Sequence, residues 1–85
     1  YAVLIYMLAQ VCGMKPGEFV HVIADAHIYD RHVPMSEELI SREPLPAPTF
    51  WLNPEIKDFY DFTPDDVRLD HYETHPQIKN IPVAV

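Results

Sequence analysis

Basic residues, glycine and cysteine are all scarce in this sequence, and its first fourteen residues carry no charge. Six Lys and Arg stand against thirteen Asp and Glu, for a formal net charge of -7. The basic residues are scattered, and the charge argues against nonspecific nucleic-acid binding, which needs Lys and Arg to neutralise phosphates. Cys12 is the single cysteine. It cannot close an internal disulfide, and nothing points to a secreted, disulfide-stapled domain. The two glycines, Gly13 and Gly17, are isolated, so no glycine-rich loop is present to cradle a phosphate. The uncharged run falls short of the roughly 20 apolar residues that span a bilayer. It also lacks the basic start and small-residue cleavage site of a signal peptide. A soluble, cytoplasmic protein without a membrane segment is therefore expected. At 85 residues the chain forms at most one small domain, and a domain of that size buries only about 60–65% of its unfolded surface. The sequence starts at Tyr1, without Met and inside an apolar run. That start suggests part of a larger protein cut within an element.

What is present reads as alternating helical and extended elements. Ala2 to Cys12 is rich in helix formers, and Gly13 follows where a helix end wants a left-handed residue. Gln10 is the only strongly polar side chain in that run. A helix apolar all round is expected to be buried. Lys15-Pro16-Gly17 reads as a turn. Glu18 to Tyr29 then reads as one long strand, with Val20, Val22, Ala24, Ala26 and Ile28 on an apolar face. Phe19, His21, Ile23, Asp25, His27 and Tyr29 share the other face. Arg31 to Arg42 reads as an amphipathic helix with Val33, Leu39 and Ile40 inward and Pro34 in its first turn. Pro44, Pro46 and Pro48 impose an extended crossing. Thr49–Leu52 and Val67–Tyr72 read as short strands, and Thr63-Pro64-Asp65-Asp66 as a capped helical turn. The tail from Thr74 is irregular. The fold class is therefore α+β.

Three groups of residues could carry chemistry. Along a strand, His27 and Tyr29 would stand about 6–7 Å apart on one face and could offer hydrogen-bond donors to one small polar group. Their spacing fits equally a pair satisfied within its own sheet. The five histidines (His21, His27, His32, His71 and His75) lack the ligand number and spacing of a zinc site, and no metal is expected. Cys12, near the end of an apolar helix, reads as a core cysteine rather than as an activated nucleophile. Asp58, Asp61, Asp65, Asp66 and Asp70 read as a solvated face.

The blocks Ala9-Gln10, Gly17-Glu18-Phe19-Val20, Asp25-Ala26-His27-Ile28-Tyr29, Ser41-Arg42-Glu43-Pro44 and Pro82-Val83-Ala84-Val85 occur in an order that resembles the thymidylate synthase family. The resemblance covers all 85 residues and corresponds to the C-terminal third of the enzyme domain. It implies an enzyme that methylates deoxyuridylate (dUMP) at C5, with 5,10-methylenetetrahydrofolate as both carbon donor and reductant. By the same resemblance His27 and Tyr29, with Ile28 between them, bind the nucleotide through its sugar hydroxyl, and Ala84 contacts the folate. It further implies a homodimer whose sheets pack back to back, with Val20, Val22 and Ala24 in the interface, and a tail that closes over the folate. Ala24 stands where the family commonly has Gly. The family's nucleophilic Cys, its phosphate-binding arginines and its uracil-reading Asn match nothing here and would lie upstream. Cys12 falls at a non-catalytic position. No catalytic residue is therefore expected in this chain, and the chain alone is expected to be inactive. Two other readings stay open: a nucleotide hydroxymethylase of the same superfamily, and a non-catalytic interaction module that keeps the fold.

Overall fold

A computed structural model describes residues 1–83. It holds two helices and a two-stranded antiparallel sheet, an α+β architecture. The chain divides into two compact units, Tyr1–His21 with Ala47–Tyr72, and Val22–Pro46 with Glu73–Val85.

In the first unit, α1 (Ala2–Val11) ends where Gly13 takes φ +66°. Gly13 N–H bonds the Gln10 carbonyl at 3.1 Å and Met14 N–H bonds the Ala9 carbonyl at 2.8 Å. These paired bonds satisfy carbonyls that a helix end otherwise leaves open, and they need the left-handed glycine. Beyond a loop, β1 (Thr49–Leu52) pairs with β2 (Val67–Asp70), placing Trp51 opposite Arg68. The Arg68 guanidinium lies 4.7 Å from the Trp51 ring centre and bonds Asp70 at 2.9 Å. Tyr6 of α1 meets Phe50 of β1 with ring centres 4.9 Å apart. Gln10 Nε2 donates to the Asn53 carbonyl at 2.8 Å and to the Ile56 carbonyl at 2.9 Å. The one strongly polar side chain of α1 thus ties the helix to the loop that leaves β1.

Asp66 holds the other end of that loop. One of its oxygens accepts from Asn53 Nδ2 at 2.7 Å, and the second accepts from Thr63 N–H and Thr63 hydroxyl at 2.8 Å each. The Asn53 bond first, then the two Thr63 bonds, hold its carboxyl below the ordinary aspartate value of 3.8. Asp66 is only 8% exposed, so the expectation of a solvated acidic face fails for it. The Thr63-x-x-Asp66 spacing makes the acid a capping partner rather than a surface charge.

In the second unit, a 3-10 turn (Asp30–His32) leads into α2 (Val33–Ser41), with Pro34 in its first turn. Arg42 and Glu38 pair at 3.0 Å, one helical turn apart. His75 Nε2 donates to the Glu43 carbonyl at 2.8 Å.

Two expectations about packing are corrected. Glu18–Tyr29 forms no strand; it runs irregularly with a turn at Ala24 and Asp25. Side-chain alternation gives a segment two faces, but a strand also needs a hydrogen-bonded neighbour. Among the described residues only β1 and β2 pair. Nor is α1 a buried helix: Ala9 is its sole buried residue, and Leu8 is 46% exposed. The inward face expected for α2 is likewise uncovered, with Val33, Leu39 and Ile40 all exposed. Apolar periodicity marks a face for burial without supplying the surface that buries it.

Candidate functional site

His27 and Tyr29 lie side by side without the strand that was expected to present them. The His27 and Tyr29 rings meet edge to face, with centres 5.2 Å apart and planes at 87°. His27 Nδ1 lies 2.9 Å from the Asp25 carbonyl. A carbonyl can only accept, so Nδ1 carries the proton, and in the neutral ring Nε2 is left as an acceptor. In that neutral tautomer the pair presents an imidazole acceptor beside a phenolic hydroxyl. That combination matches an alcohol, which gives one hydrogen bond and receives another. Ile28, between them, is 61% exposed. With Ile23, Asp25 and Ala26, residues His27 and Ile28 line an open hollow.

Tyr29 links this pair to the next turn. Its carbonyl accepts from His32 N–H at 2.8 Å, and its ring meets the His32 ring edge to face at 5.7 Å. His32 Nε2 in turn lies 2.6 Å from the Pro82 carbonyl, and Arg31 donates to the Val83 carbonyl at 3.1 Å. Arg31 and His32 were not singled out as site residues from the sequence. Their partners lie 52 and 50 residues away, and no local pattern announces such a contact. Ala84, the expected folate contact, lies outside the described residues.

Cys12 is exposed, which corrects its reading as a core cysteine. It follows the last turn of α1, where the chain has left the helix. Among the described residues no group of three or more His, Cys, Asp or Glu is placed to hold a metal ion. In the same span no helix is long and apolar enough to cross a membrane.

The chain is thus of the α+β class, with an exposed imidazole and an exposed phenol set edge to face. The comparisons with known proteins narrow this class. The family model described as thymidylate synthase matches residues 1–85. A thymidylate synthase of Clostridium beijerinckii is 52% identical over 81 residues, covering 93% of this chain and 31% of that protein. The solved structure of thermostable thymidylate synthase A from Bacillus subtilis superposes with a TM-score of 0.88 at 42% identity, covering 94% of this chain and 29% of the other. The chain belongs to the thymidylate synthase family, and it spans about a third of the length of these relatives.

Proposed function

We propose that this chain supplies the sugar-binding part of a thymidylate synthase, and that the complete protein converts deoxyuridylate to thymidylate with 5,10-methylenetetrahydrofolate. The edge-on pairing of His27 and Tyr29, with complementary hydrogen-bonding roles, is the observation that carries this reading. In the proposed complex His27 Nε2 accepts from the sugar hydroxyl while the Tyr29 hydroxyl donates to it, and Ile28 packs between them. The family's reaction opens with addition of a thiolate to C6 of the pyrimidine, which activates C5. The folate supplies the one-carbon unit and the reducing equivalents. Within this chain the assigned work is orientation: a fixed sugar places the pyrimidine for attack. Ala84 is assigned to folate contact. The exposed Val20, Val22 and Ala24 are assigned to the interface with a second copy, and the C-terminal third of the enzyme domain is the proposed place of residues 1–85.

Tyr29→Phe tests the assignment in the full-length protein. Loss of one hydrogen bond to a neutral hydroxyl costs roughly 0.5–1.5 kcal/mol, or about three- to twelve-fold in affinity. The expected result is a KM for deoxyuridylate raised by that factor with kcat changed less. An unaltered KM beside a thousand-fold lower kcat would contradict the role.

A further inference from the structure

The last described residues, 81–83, gain little from burial, since Ile81 is 55% and Val83 78% exposed. The side chains that hold them by hydrogen bonds come from a single turn. His32 Nε2 faces the Pro82 carbonyl at 2.6 Å and the Arg31 guanidinium faces the Val83 carbonyl at 3.1 Å. Both partners are carbonyls, so His32 must carry its proton on Nε2. Pro82 has no N–H and a restricted φ, so at that residue the tail can be held through its carbonyl but not through its amide. His32 is half-buried and braced by the edge of Tyr29 at 5.7 Å. The two donors are adjacent in sequence, the two acceptors are adjacent in sequence, and the Asp30–His32 turn sets the donors side by side.

We propose that Arg31 and His32 are positioning residues for the tail: as a two-point clasp on consecutive carbonyls they set where the chain after Pro82 lies, and through it act on folate binding. The folate half of this statement rests on the function proposed above; the clasp itself does not. A clasp of this kind acts through the tail, so its loss should weaken one substrate and spare the other.

The test uses the full-length protein with Arg31→Ala, His32→Ala and His32→Gln, and two readouts. The first needs no activity: the rate of native-state tryptic cleavage at Lys79-Asn80, followed by mass spectrometry. Losing one exposed hydrogen bond is expected to speed the cut about three- to twelve-fold in either alanine variant. Gln carries an amide N–H of similar reach, so His32→Gln should return most of the protection. The second readout is the pair of Michaelis constants. For Arg31→Ala the KM for methylenetetrahydrofolate should rise about three- to twelve-fold, with the KM for deoxyuridylate within about two-fold of the parent. Unchanged cleavage in both alanine variants would overturn the clasp, as would a glutamine variant cut as fast as the alanine one. Faster cleavage with an unmoved folate KM, or both KM values rising together, would overturn its role in positioning the tail for folate. If the parent protein itself transfers no carbon to deoxyuridylate, the functional reading fails, and the clasp stands or falls on cleavage alone.

Discussion

Two stretches of this chain solve the problem of backbone hydrogen bonding in opposite ways. Thr49 to Asp70 is closed upon itself: a short ladder, a loop pinned by Gln10, and a carboxylate that gathers three donors. Glu18 to Tyr29 has no ladder partner among the described residues, and every residue in it is exposed. Yet the second stretch carries the candidate nucleotide pair. Most of the hairpin's hydrogen-bond partners lie within about twenty positions, with Gln10 of α1 reaching in from 43 and 46 residues away. Glu18 to Tyr29 has no such paired neighbour among the described residues. Binding groups are often found on such weakly held segments.

The widest separation between the two should appear in amide hydrogen exchange of the chain. Ladder amides of β1 and β2 should exchange at least about a hundred-fold more slowly than those of Glu18–Tyr29, the ratio given by about 3 kcal/mol of local opening. Comparable protection in both stretches would erase the contrast and restore the long strand.

A smaller effect sharpens the role of α1. In Gln10→Ala two loop carbonyls lose a part-buried donor. Two hydrogen bonds at roughly 0.5–1.5 kcal/mol each place the loss at about 1–3 kcal/mol. Urea unfolding should register it, and exchange should quicken at Asn53–Ile56 while exchange at His27 and Tyr29 stays as in the parent. Gly13→Ala ranks next. A Cβ there would meet nothing within 4 Å, so only the left-handed φ of +66° opposes it. That conformation costs an L-residue about 1–2 kcal/mol, readable as the same shift in unfolding free energy.

The smallest effect in neutral buffer belongs to the charge of Asp66. Its carboxyl is held below the ordinary value of 3.8 by Asn53 and Thr63. The folded state therefore takes up this proton less readily than the unfolded chain. The stabilisation is complete at neutral pH and is lost as pH falls through 3.8 toward the lower folded value. Acid titration followed by circular dichroism should show the hairpin weakening in that window. Asp66→Asn should remove this part of the pH dependence and be less stable at pH 7, since an amide puts N–H groups where Asn53 and Thr63 already donate. A variant as stable as the parent at pH 7 would show that the carboxylate is not the hub of the loop.

Much of this was legible in the residues themselves. Gly13 announced the end of α1, the Thr63-Pro64 pair announced the capped turn, and the two short strands fall within a residue or two of their expected bounds. These are local facts, fixed by backbone sterics and by contacts a few positions apart. The order of the motif blocks identified the family, and with it the residues to watch. Tertiary structure alone decided the rest. Alternation in Glu18–Tyr29 could not create a neighbouring strand, and an apolar run could not bury α1, because both require a partner surface. The turn at Ala24 and Asp25, in place of the expected strand, sets His27 against the Asp25 carbonyl only two residues away. The bonds from Arg31 and His32 reach carbonyls 52 and 50 residues away, and only the fold brings those groups together. Long-range contacts follow from how segments meet in space, and no spacing along the chain encodes that meeting.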